Sequence, residues 1–97
     1  MSEKTTVQNV GQPGKTYRVD AVKYAEMRAA VLTVTPTAPP GITPAEIIQA
    51  VKPHLSEANF PGGDTAGWWV KCVQLDLEAK GLLKRAPKAP VRLWRPS

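Results

Sequence analysis

A chain of 97 residues, 42% hydrophobic and 22% charged, makes room for one small globular domain and excludes a multidomain enzyme, a collagen-like chain or a fully disordered one. No uninterrupted apolar run reaches the ~18 residues needed to span a bilayer, and the polar start Met1-Ser2-Glu3-Lys4-Thr5-Thr6 has no apolar secretory core, so a cytoplasmic protein is expected. The single cysteine, Cys72, excludes an internal disulfide, and the net charge of +5 favours an anionic partner.

Residues 1–6 read as a frayed tail. Two β-prone stretches, Thr6-Val7-Gln8-Asn9-Val10 and Lys15-Thr16-Tyr17-Arg18-Val19, flank Gly11-Gln12-Pro13-Gly14, which suggests a hairpin. Residues 1–19 are therefore taken as an N-terminal tail and hairpin. Asp20 is a cap for a helix running to about Val34 without Gly or Pro. Its apolar residues Val22, Ala25, Met27, Ala29, Ala30, Val31, Leu32 and Val34 form one broad face, leaving Lys23, Glu26 and Arg28 for solvent. Pro36, Pro39, Pro40 and Gly41 end it in a surface loop.

Thr43-Pro44-Ala45-Glu46 is the strongest start signal in the chain: a hydroxyl cap, Pro at the first helical position and Glu at the third. Ile47, Ile48, Val51 and Leu55 supply the inward stripe of this second helix, and Pro53 stops it near Lys52. After a loop closed by Pro61-Gly62-Gly63, Asp64 or Thr65 caps a third helix that continues to Lys80, with Gly81 as its terminator. Turning 100° per residue places Ala66, Trp69, Val70, Val73 and Leu77 on the core side. Trp68, Cys72, Leu75 and Ala79 form a second apolar stripe, and Lys71, Gln74 and Glu78 a polar side. The N-terminal hairpin or a second copy of the chain is expected to cover that second stripe. Residues 82–86 and 91–95 are β-capable and flank Pro87-Lys88-Ala89-Pro90, which gives a C-terminal hairpin.

The charge is unevenly placed. Residues 1–80 balance eight acidic against eight basic side chains, whereas Lys84, Arg85, Lys88, Arg92 and Arg95 stand in residues 81–97 with no carboxylate. Two capped helices, a third ending in Leu77-Glu78-Ala79-Lys80-Gly81-Leu82-Leu83, and a basic hairpin together resemble a winged helix-turn-helix domain over residues 20–95. The stretches Phe60-Pro61-Gly62-Gly63 and Gly67-Trp68-Trp69-Val70-Lys71 also resemble a small group of uncharacterised bacterial proteins, which implies no activity. The first resemblance implies an α+β fold in which residues 20–97 form a three-helix domain with a hairpin wing, and in which the third helix and the wing face DNA. The connection over residues 52–64 is longer than the three- or four-residue turn of a compact helix-turn-helix.

On that reading Lys84, Arg85, Lys88, Arg92 and Arg95 grip phosphates, while Lys71 and Gln74 offer hydrogen bonds to base edges. The alternative is a protein-interaction or dimerisation module built on Trp68, Cys72 and Leu75. Trp94 is expected to close the core under the wing. Other signals fail. Gly14-Lys15-Thr16 lacks the first glycine of a phosphate loop, Asn9 standing in its place. One His and one Cys are too few for a structural zinc site. Asp76 and Glu78 are two apart on a helix, so they point apart. No catalytic residue, metal, cofactor or small-molecule ligand is indicated, and no membrane association is expected.

Overall fold

The computed structural model describes residues 3–96; the tail positions Met1 and Ser2, and Ser97 at the end of the expected domain, lie outside the described residues. Three helices and two small antiparallel sheets make a mixed α+β fold. The first hairpin pairs β1 (Lys4–Gln8) with β2 (Thr16–Asp20), Lys4 opposite Asp20 and Gln8 opposite Thr16. This corrects the expected strands. Lys4 and Thr5 are paired rather than frayed, because the alternation that buries Val7 and Val19 requires that register. Val10 leaves the strand altogether, its N–H donating to the Leu75 carbonyl at 3.3 Å.

Helix α1 (Ala21–Val34) starts where Asp20 accepts a hydrogen bond from the Lys23 N–H at 3.0 Å. The face it buries is narrower than expected: Tyr24, Met27, Ala30 and Val31 are inside, while Val22 (56% exposed), Ala25 and Ala29 face solvent. Its apolar residues spread over two overlapping arcs, and the arc containing Tyr24 is the one that meets α3. Glu26 is not left to solvent either. Its carboxylate accepts from the Ser56 N–H (2.5 Å), the Ser56 hydroxyl (2.9 Å) and the Asn59 amide (2.7 Å), tying α1 to the connection between α2 and α3.

Helix α2 (Pro44–Val51) carries the full capping box, with the Glu46 N–H donating to Thr43 Oγ1 and the Thr43 N–H donating back to Glu46 Oε1. It buries Ile47 and Val51 and runs into a 3₁₀ turn, Lys52–His54, that contains Pro53. The long connection is more than surface loop. Phe60 is 1% exposed and meets Trp69 edge to face at 6.2 Å, followed by a second 3₁₀ turn, Pro61–Gly63.

Helix α3 (Ala66–Ala79) buries all five expected core residues. Its start departs from expectation: Thr65 has a left-handed φ of 60° and makes no cap, its hydroxyl donating instead to the Asp64 carbonyl. Gly81, at φ 77°, ends the helix, and the Leu82 N–H returns to the Leu77 carbonyl at 2.8 Å. The second hairpin pairs β3 (Lys84–Arg85) with β4 (Leu93–Trp94). It is shorter than the stretches that suggested it, Pro87 and Pro90 having no N–H for a longer ladder. Leu83 and Leu93 plug the core beneath it; Trp94 is only half-buried.

One pairing has no signal in the residue pattern. Ile42, between α1 and α2, lies antiparallel to Leu93, with N–H to carbonyl bonds of 3.0 and 2.8 Å. Gly41 permits this approach. It sits at φ 82°, and a Cβ there would stand 2.0 Å from the Leu93 carbonyl oxygen. The two hairpins and three helices share a single core that includes Val7 and Val19 as well as Leu83 and Leu93.

Candidate nucleic-acid interface

The five C-terminal cations do not behave alike. Lys84 is exposed on β3, opposite Trp94 and therefore on the same face of the strand pair. Lys88 is exposed in the link between the strands. Neither has a polar partner among the described residues. Arg85 is clamped: Nε and Nη2 donate to the two Glu78 carboxylate oxygens at 2.8 and 2.9 Å. These bonds hold the guanidinium above its ordinary pKa and cancel a carboxylate that would otherwise repel phosphate. Arg92 is half-buried and close enough to Glu46 for its charge to add to the lowering of that carboxyl, which the Thr43 N–H and hydroxyl chiefly produce. Arg95 is turned away. Its Nε donates to the Thr35 carbonyl at 3.1 Å, at the end of α1, while its own N–H donates to the Pro36 carbonyl.

On α3, Lys71 is exposed and unpaired among the described residues. Gln74 is not on an open polar side as expected. It is 4% exposed, and its Nε2 donates to Glu78 Oε2 at 3.2 Å. The helix reaches solvent instead through Gly67, Trp68 and Lys71, with Leu75 half-covered. Lys71, Gln74 and Arg85 nevertheless line one groove of about 310 Å³ between α2, α3 and the second hairpin. The second hairpin and the third helix are thus brought together, but of the seven residues expected to contact nucleic acid Lys71, Lys84, Lys88 and, in part, Arg92 remain available to an outside anion.

The second apolar stripe is split. Cys72 lies 3% exposed under the N-terminal hairpin, its sulfur 3.6 Å from the Tyr17 hydroxyl, and burial pushes the thiol pKa up. The same environment pushes the Tyr17 hydroxyl up to about 12, burial first and Cys72 second. Trp68 is uncovered at 55% exposure and packs edge to face on Trp69 at 5.0 Å. A cleft of about 320 Å³ lies between Trp68 and Lys71 on one side and Asn9 and Tyr17 on the other.

Among the described residues one acidic side chain is fully buried, a placement that its position two residues from Glu78 does not announce. Asp76 has no exposed surface and accepts from the Tyr24 hydroxyl, the Gln8 N–H (2.8 Å) and the Lys80 ammonium (2.9 Å). Burial, then the bond to Asp76, raises the Tyr24 pKa. The only hint in sequence is the Asp76–Lys80 spacing on a helix, which is common on exposed faces. His54 is exposed after α2, and among the described residues no group of three or more His, Cys, Asp and Glu side chains could hold a metal. No described helix is long and apolar enough to cross a membrane.

These features define a small α+β domain with a cationic hairpin beside its third helix. The chain matches, over residues 4–93, the pattern of the family of unknown function DUF6958, and it belongs to that family. Neither a curated protein nor a solved structure matches it.

Proposed function

We propose that the domain is a winged helix-turn-helix module that binds double-stranded DNA without catalysing a reaction, holding phosphates with Lys84, Lys88 and Arg92 of the wing and Lys71 of α3. The architectural part of this reading rests on order and pairing: α1, the Ile42 strand residue, α2, α3, then β3 and β4, with Ile42 hydrogen-bonded to β4. The binding part rests on one observation, that Lys84, Lys88 and Lys71 carry charge no carboxylate cancels among the described residues. With Gln74 buried, the helix offers few groups to base edges, so contacts run to the phosphates and sequence preference is weak.

The test is a titration of a short duplex followed by fluorescence anisotropy. Four phosphate contacts give a loss of about a hundredfold in affinity between ~50 and ~200 mM salt. A Lys84→Gln/Lys88→Gln/Arg92→Gln variant retains a salt slope of only about one contact. Binding that persists unchanged in that variant rules out the wing mechanism.

Trp68 supports a second reading, a docking face for another protein chain, because an indole more than half exposed on a helix is an expected contact anchor. In that case Trp68→Ala shifts the sedimentation of the protein or its complex, and DNA binding is absent.

A further inference from the structure

We propose that the groove between α2, α3 and the second hairpin is a binding site for a small apolar carboxylate, its hydrocarbon part against Ile48, Leu75 and Val91 and its carboxylate at Lys71. The proposal shares Lys71 with the reading above and rests on no other part of it. Three observations carry it.

The first is the lining. Pro44, Ile48, Val70, Leu75 and Val91 make the walls apolar, and the only charged side chains are Lys71 and Arg85, both cationic. Part of the Arg85 charge is taken by Glu78, leaving Lys71 as the principal anchor. The volume of about 310 Å³ sits at the low end of the ~300–1,000 Å³ range of small-molecule sites. A peptide helix would need a longer trough, and a phosphodiester backbone would leave the apolar walls wet. An anion with a compact hydrocarbon body satisfies both the walls and the rim.

The second is Gln74. It is 96% buried by complement of its 4% exposure, and it lines the groove. Glu78 can only accept, which fixes the Gln74 Nε2 toward it and leaves Oε1 without a donor among the described residues. No buried side-chain polar atom lacks a partner among the described residues, so this Oε1 reaches solvent, and a ligand hydroxyl or N–H entering the groove would replace water at it.

The third is Gly67. A glycine in a helix costs stability relative to alanine, and nothing in the packing requires one here. Its φ is not left-handed, and an added Cβ would meet only Ile48 Cδ1, at 3.9 Å, an ordinary contact. What the missing side chain does provide is open space along the groove, whose lining includes Gly67.

The groove could not be anticipated from the residue pattern, since its walls come from three elements that only the fold brings together. The probe is 1-naphthoate, with 1-naphthylmethanol as its uncharged counterpart, titrated into the full chain by calorimetry and by amide NMR. We expect saturable naphthoate binding, with shifts centred on Gly67, Lys71, Gln74 and Val91. The alcohol should bind about tenfold more weakly, the effect of one charge-assisted contact. Lys71→Gln should erase the difference between the two probes, and Gly67→Leu, which fills the space, should abolish both signals while keeping a dispersed spectrum. If Gly67→Leu does not fold, Lys71→Gln decides alone, because Lys71 is exposed and has no polar partner among the described residues. Absence of saturable binding, equal affinity for the two probes, or shifts confined to another face overturns the proposal. A duplex titration run in parallel reports on the DNA reading separately: its failure leaves a positive naphthoate result intact, and the reverse holds as well.

Discussion

Asp76, on α3, takes hydrogen bonds from Tyr24 of α1, Gln8 of β1 and Lys80, which caps the C-terminal end of α3. A buried carboxylate without donors is costly, and here all three donors also gain an acceptor. In Asp76→Ala the Gln8 N–H and the Tyr24 hydroxyl lose theirs, so we expect a loss of about 2–4 kcal/mol in urea unfolding, with a smaller loss for Tyr24→Phe. Equal losses in the two variants would mean that the Tyr24 bond carries the whole effect and the β1 contact none. Glu26 plays a similar part at the surface. Burial alone would raise its pKa, but the bonds from Ser56 and Asn59 outweigh it and lower the value below the ordinary 4.5. The folded state therefore binds this proton less readily than the unfolded chain. Its stabilising contribution is present above about pH 4.5 and disappears as pH falls through the lowered value. Glu26→Gln should flatten that part of the acid limb of a stability–pH profile, and an unchanged limb would remove Glu26 from the account. Neither role was legible in sequence, because the partners lie 52 and 68 residues from Asp76 and 30 and 33 from Glu26.

At the scale of elements, what could be read was what is local. The Thr43 capping box, the Asp20 cap, the Gly81 stop and the inner face of α3 all depend on residues within a turn or two of one another, and each is present. What failed depended on partners. The apolar arc of α1 was wide enough to be buried at either edge, and only the position of α3 and its Asp76 chose the edge with Tyr24. The strand at Ile42 is one residue long and has no pattern of its own; it exists because Gly41 lets the chain come against Leu93. Gly41→Ala is accordingly expected to cost at least about 2 kcal/mol, from left-handed backbone in a residue with a Cβ and from the clash with a backbone carbonyl. Hydrogen exchange should localise the damage to the Ile42 and Leu93 amides, leaving α3 protected. Gly67→Ala has the opposite sign. Its Cβ fits, so it should be neutral or stabilise by up to about 0.5–1 kcal/mol in the same unfolding measurement.

Across the whole molecule the positive charge is less concentrated than the list of C-terminal lysines and arginines implies. Glu78 draws Arg85 against α3, Glu46 stands near Arg92, and Arg95 is occupied at the far end of α1. Sequence position does not reveal this, because Glu78 reads as one residue of the polar side of the third helix, with nothing in the pattern to pair it with an arginine of the second hairpin. The pairing also makes Glu78 a lever on the proposed DNA contact. Replacing it with Gln removes a carboxylate that is only 5% exposed and releases a guanidinium that is 41% exposed. Because this carboxylate is buried and also accepts from Gln74, its replacement costs about 1.5–3 kcal/mol of stability, more than loss of a surface ion pair. If the wing does hold phosphates, Glu78→Gln adds a fifth contact. The slope of log K against log salt then steepens by about 0.9, and affinity at low salt rises rather than falls. A variant made more cationic that binds duplex no more tightly, while its fold is intact by NMR, would argue that the anion recognised is not a polyphosphate backbone.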